Sequence, residues 1–74
     1  MRTYFEIGEK AEGIAKKALE QEYLKFVDIS IMKGFCAIFL CNLKDKREQF
    51  SFSSISSEEE NLNVLDKMIQ FINE

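Results

Sequence analysis

Between Phe35 and Leu43 the chain is almost wholly apolar, whereas just before it Val27, Ile29 and Ile31 alternate with the polar Asp28 and Ser30, and Lys33-Gly34 separates the two segments. This pairing constrains the fold more than any other feature. A period of two marks a half-buried strand, a short continuous apolar run marks a strand in the middle of a sheet, and two residues ending in Gly mark a tight hairpin. The polar stretch Asn42 to Arg47 supplies a second turn, and Glu48 to Ser53 alternates again. A three-stranded antiparallel meander follows, its apolar strand in the centre.

A helical period flanks the meander on both sides. Thr3 and Glu6 have capping-box spacing, and Ile7, Ala11, Ile14, Ala15, Ala18 and Leu19 recur at helical intervals up to about Glu22. Gly8 and Gly13 each cost about 1 kcal/mol relative to Ala in a helix, so a start nearer Gly8 with Thr3 to Ile7 extended is the alternative. Glu6 with Lys10 and Glu12 with Lys16 make i,i+4 pairs on the solvated face. Near the C-terminus, Ser56 with Glu59 or Ser57 with Glu60 forms another capping box, and Glu58, Glu59 and Glu60 lie where a helix dipole favours negative charge. Leu62, Leu65, Ile69 and Ile72 form one seam of that helix, with Val64, Met68 and Phe71 beside it. The expected fold is α+β, in the order α-β-β-β-α, as a single domain over residues 1–74.

A two-residue turn at Lys33-Gly34 sets the register. Ile31 opposes Cys36, Ile29 opposes Ile38 and Val27 opposes Leu40, all on one apolar face. The other face carries Phe26, Asp28, Ser30 and Met32 against Cys41, Phe39, Ala37 and Phe35. If both helices cover the first face, as is common beside antiparallel sheets, then Phe26, Met32, Phe35 and Phe39 stand on the open side as a candidate partner-binding patch. If one helix covers each face, or Tyr4 and Phe5 fold over the patch, these side chains are core. A two-residue turn at Asp45-Lys46 would put Phe50 and Phe52 beside Cys41 and Phe39, and an odd-length loop would put them beside Leu40 and Ile38.

Size makes the leftover face matter. A domain of 74 residues buries only about 60% of its unfolded surface and gains no more than about 3–5 kcal/mol from its core, so a supplement is expected. With no His and two Cys, a tetrahedral zinc site lacks ligands. Cys36 and Cys41 sit at odd spacing on one strand, face opposite sides and cannot bridge; both read as small buried hydrophobes, consistent with a reducing cytosol. The N-terminus has no apolar run of signal-peptide length and no stretch approaches a membrane span. Gly8, Gly13 and Gly34 are too scattered for a phosphate-binding loop, so no cofactor is expected. Catalysis lacks a base for either Cys, and nothing brings the candidate carboxylates Asp28 and Glu48 together. The supplement that remains is another chain.

Charge is uneven. Residues 1–22 carry a net −1, residues 23–55 a net +2 and residues 56–74 a net −4, giving −3 overall. The element order resembles that of the double-stranded RNA-binding domain, a family that grips phosphates with a Lys-rich start to its second helix. Here the corresponding Ser56-Ser57-Glu58-Glu59-Glu60 repels phosphate, and Lys33-Gly34 is too short to reach a minor groove. That resemblance stops at topology, and no direct nucleic-acid contact is expected. In size, topology and acidity the chain is also similar to small phage inhibitors that mimic nucleic acid, anti-CRISPR proteins among them. This likeness implies that Glu58, Glu59 and Glu60 dock on a larger nucleic-acid-handling protein. A composition rich in Lys, Glu, Ile and Phe suits an accessory protein of an AT-rich bacterium or its mobile elements. The functional expectation is a non-enzymatic, cytoplasmic, acidic protein that binds itself as a homodimer or binds a larger protein, through the aromatic sheet face, the acidic helix or both.

Overall fold

Thr3 opens the first helix. In the computed structural model, which describes residues 3–74, its hydroxyl accepts the Glu6 N–H at 3.2 Å and α1 runs from Tyr4 to Glu20. The helix therefore starts at Tyr4, straight through Gly8, and the extended alternative for Thr3 to Ile7 does not hold. Gly8 is buried against the sheet, where a side-chain carbon would stand 3.4 Å from Cys36 Sγ, in ordinary van der Waals contact. The helix ends two residues before Glu22, which adopts φ 63°. Around it the Tyr23 N–H bonds to Ala18 C=O at 2.9 Å and the Glu22 N–H to Leu19 C=O at 3.1 Å, a Schellman closure built on Glu where Gly is usual.

Three strands follow as a meander, β1 (Leu24–Met32), β2 (Phe35–Asn42) and β3 (Arg47–Ser53), with β2 central. Ile31 pairs with Cys36, Ile29 with Ile38 and Val27 with Leu40, the register implied by the two-residue turn. Gly34 carries the turn at φ 76°. The register slips between Leu24 and Phe26, so Lys25 is an extra, bulged residue. Strict alternation would leave Leu24 on Phe26's side of the sheet; the bulge turns it over, and Leu24 joins the core.

The second hairpin resolves the third strand. Leu43, Lys44 and Asp45 form a three-residue loop inside an Asn42–Lys46 pair, with Asp45 at φ 63° and the Asp45 N–H on Asn42 C=O at 3.1 Å. The buried Asn42 side chain holds the loop, its Oδ1 accepting from Lys44 N–H at 2.9 Å and Lys46 N–H at 3.0 Å. An odd loop puts Phe50 and Phe52 on the covered face, but opposite Ile38 and Cys36, two residues nearer the start of β2 than Leu40 and Ile38.

Both helices pack on one face of the sheet. Helix α2 (Glu58–Ile72) starts in a complete capping box, with Glu60 N–H on Ser57 Oγ at 3.0 Å and Ser57 N–H on Glu60 Oε1 at 2.8 Å. Helix α1 lies across all three strands and α2 against β3 and α1. One core joins Ile7, Ala11, Ala15 and Ala18 of α1, the sheet residues Ile38, Leu40, Phe50 and Phe52, and Leu65, Met68 and Phe71 of α2. Leu19, counted in the α1 stripe by its spacing, is exposed. In α2 the deepest positions are Asn61, Leu65, Met68 and Phe71, whereas Leu62, Ile69 and Ile72 are only half-buried. The Asn61 side chain lies at the rim of that core, its Nδ2 donating to Ser53 C=O at 3.1 Å and its Oδ1 accepting from Ser53 N–H at 3.2 Å.

Candidate functional site

Because both helices take the same face, the opposite face of the sheet is open. Alternation fixes its residues: Phe26, Asp28, Ser30 and Met32 from β1, Phe35, Ala37, Phe39 and Cys41 from β2, and the polar series Arg47, Gln49, Ser51 and Ser53 from β3. The neighbours of Ala37 and Cys41 shield these small side chains, which are buried without any covering element. Phe26 is 54% exposed, Met32 59% and Phe39 36%, while Phe35 is half-buried. Tyr4 and Phe5, the alternative cover, belong to the first turn of α1, where their rings meet edge-on at 6.5 Å.

The four sheet residues singled out from the sequence, Phe26, Met32, Phe35 and Phe39, thus share one surface. A shallow depression of about 410 Å³ opens beside Phe39, lined by Phe26, Asp28, Cys41, Arg47 and Gln49. Its floor is apolar, with a carboxylate on the β1 side and a guanidinium on the β3 side. Such a hollow suits an apolar side chain flanked by polar groups. A second hollow of about 280 Å³ lies between α1 and Ile31, with Phe5, Gly8, Gly13 and Cys36 in its lining.

The three acidic residues stand elsewhere. They open α2, on the covered side of the sheet, and are not one free patch. The Glu60 carboxylate accepts the Ser57 N–H and hydroxyl interactions of the capping box, which hold its pKa below the usual carboxylate range. Glu58 is half-buried and Glu59 is exposed. Of the basic residues near the second turn, Lys46 Nζ stands 3.5 Å from Glu74 and Lys25 Nζ 2.7 Å from Asp45. The Lys25 hydrogen bond and charge hold Asp45 low, and the same contact raises Lys25.

Cys36 and Cys41 are buried free thiols on opposite faces. Burial, and then the charge of Glu12, push the Cys36 thiol up, away from the thiolate form that nucleophilic chemistry uses. Among the described residues no three His, Cys, Asp or Glu side chains gather to hold a metal ion, and no helix is long and apolar enough to cross a membrane.

Ile31, opposite Cys36 on the covered side of the sheet as its register implies, is nonetheless 64% exposed. Its position at the free edge of β1, beyond the reach of α1, is the cause, and the signal was present in the meander itself, whose first strand has only one neighbour. No family model matches the chain, and no curated protein or solved structure matches it significantly.

Proposed function

We propose that this chain is a non-catalytic protein-interaction module that works as a homodimer, association covering the apolar side chains its sheet leaves in solvent. The observation that supports this most directly is the exposure of Phe26 beside Phe39, and of Met32 beside Phe35, on a face that no element among the described residues covers. Exposed apolar side chains grouped on one face mark an interaction surface, and a second copy supplies the burial that a chain of this length lacks. An acidic-helix docking mode on a larger nucleic-acid-handling partner draws less support, because the Glu60 carboxylate is already engaged by Ser57.

Sedimentation across a range from low to high micromolar tests the reading. A mass that rises toward twice the chain's 8.7 kDa, with a thermal midpoint that rises with concentration, is the expected result. A monomer of fixed midpoint throughout that range overturns it.

A further inference from the structure

We infer that the homodimer forms edge to edge, β1 of one copy pairing antiparallel with β1 of a second about a two-fold axis at Ile29, to give one continuous six-stranded sheet. The inference rests on the self-association reading above and specifies its geometry. Two hydrogen bonds fix which backbone groups point where: Asn42 N–H to Lys46 C=O at 3.0 Å and Ser54 N–H to Gly34 C=O at 2.9 Å. In an antiparallel pair, bonding alternates residue by residue. The even-numbered residues of β2 therefore bond toward β3, and Phe35, Ala37, Phe39 and Cys41 bond toward their β1 partners Met32, Ser30, Asp28 and Phe26. Val27, Ile29 and Ile31 are left turning their N–H and C=O groups outward. Among the described residues no turn, loop or side-chain hydrogen bond reaches them.

The regular edge is bounded on both sides, by the bulge at Lys25 and by the Lys33-Gly34 turn. What remains, Phe26 to Met32, is centred on Ile29. A two-fold axis there pairs Ile29 with Ile29 and Val27 with Ile31, so all three outward residues bond one another. It also sets Asp28 across from Ser30 and Phe26 across from Met32. An axis at Asp28 would oppose two carboxylates in a close pair, and an axis at Ser30 would set Asp28 against Met32 and Val27 against the turn; like charges directly opposite are unfavourable. In the chosen register the exposed Ile31 side chain gains Val27 of the second copy as a neighbour. Of the sheet's four exposed large apolar side chains, three, Phe26, Ile31 and Met32, are on β1, and Phe39 is on β2. A long apolar strand edge of this kind is a template for pairing with another chain.

Position 30 gives a register-specific test, because it faces Asp28 of the second copy twice. Ser30→Lys is expected to tighten the dimer about fivefold and Ser30→Asp to weaken it about tenfold, both read as sedimentation Kd. Ile31→Lys, at a site exposed in the monomer, abolishes dimerisation. In the unmodified protein the amide exchange of Val27, Ile29 and Ile31 slows as concentration rises while that of Gln49 does not, which decides the matter if a variant misfolds. A dimer indifferent to both Ser30 changes, with fast exchange at Ile29, and lost in Phe39→Asp, overturns the edge geometry and leaves self-association standing. A monomer at every concentration overturns both.

Discussion

At the outer edge of β3, Ser53 finds both of its outward backbone groups taken by one side chain, Asn61 of α2; at the outer edge of β1, Val27, Ile29 and Ile31 have no such cover. The side chains follow the same division. On the open face β3 shows Arg47, Gln49, Ser51 and Ser53, with Gln49 Nε2 on Ser51 Oγ at 3.0 Å, whereas β1 shows Phe26 and Met32 around Asp28 and Ser30. One edge is capped at Ser53 by a borrowed amide and lined by polar side chains, while its outward groups at Arg47, Gln49 and Ser51 stay unpaired among the described residues; the other keeps its outward groups at Val27, Ile29 and Ile31 beside apolar side chains. The two edges therefore differ less in backbone hydrogen-bonding capacity than in what flanks it, and β1 is the strand that concentrates the exposed apolar surface.

The sharpest way to break the comparison is at the end of the β1 edge. Leu24 reaches the core only because Lys25 is bulged, so Leu24→Ala should cost about 3 kcal/mol of unfolding free energy, read by urea denaturation. A loss below about 1 kcal/mol would return Leu24 to the open face and extend the free edge beyond Phe26. On the other strand, Asn61→Ala strands the Ser53 N–H and C=O and should cost about 2 kcal/mol. It should also unblock β3, so that sedimentation shows species larger than a dimer. Asn61→Asp, which still accepts the Ser53 N–H but donates nothing to its C=O, should recover part of the stability. If Asn61→Ala leaves both stability and mass unchanged, the amide is no edge cap.

What the sequence made legible follows from how tightly each feature is tied to neighbouring residues. The β1–β2 register depends only on a two-residue turn and on alternation, both local, and it was readable to the residue. So was the grouping of Phe26, Met32, Phe35 and Phe39 on one side. The bulge was not, because Leu24-Lys25-Phe26 offers an apolar residue on either side of Lys25 and only the demand of the core chooses Leu24. The third strand hung on whether Asp45 would take φ 63°, a conformation that Asp tolerates without announcing it; Asn42, whose side chain ties that loop, was the available hint. Asn61 stands four residues before Leu65 on the same face of α2, a polar group in an apolar seam, and its backbone-mimicking role needed the tertiary position of Ser53. The helix start at Tyr4 overrode the two-glycine penalty with the Thr3 cap on the Glu6 N–H and the burial of Ile7 in the first turns.

A smaller effect sharpens the comparison where the chain enters β1. Glu22 holds the Schellman closure in a left-handed conformation that costs a residue with a Cβ about 1 kcal/mol. Glu22→Gly should therefore stabilise the fold by about that amount and raise the thermal midpoint by roughly 4–8 °C, with β1 dimerisation unchanged. An unchanged or lower midpoint would mean that Glu22 makes compensating interactions at that turn.

The least effect concerns charge, and it falls on both edges with opposite pH signatures. Lys25, the bulged residue of β1, binds Asp45, and Glu60 completes the α2 cap three residues past Ser57, where the loop that follows β3 ends. Asp45 and Glu60 both titrate below their ordinary values, so their stabilisation is present above the unfolded-state carboxylate pKa and is lost as acid carries the pH down through the folded one. Lys25 titrates above its ordinary value, so its share is complete below the unfolded-state lysine pKa and is lost only as alkali carries the pH up through the raised one. Cys36, whose thiol is held up by burial, adds an alkaline loss that begins at the unfolded-state thiol pKa, so the urea midpoint should be flat only between the carboxylate and thiol values. Asp45, Glu60 and Lys25 are exposed, so salt should shrink their contributions. Glu60→Gln keeps an acceptor for Ser57 but cannot titrate, and should flatten part of the acid limb while sparing the alkaline one. Lys25→Met should remove the lysine part of the alkaline limb together with the Asp45 part of the acid limb, and leave the Cys36 part in place. An acid limb that Glu60→Gln does not change would show that the α2 cap, and with it the placement of Asn61 against the β3 edge, does not depend on that carboxylate's charge.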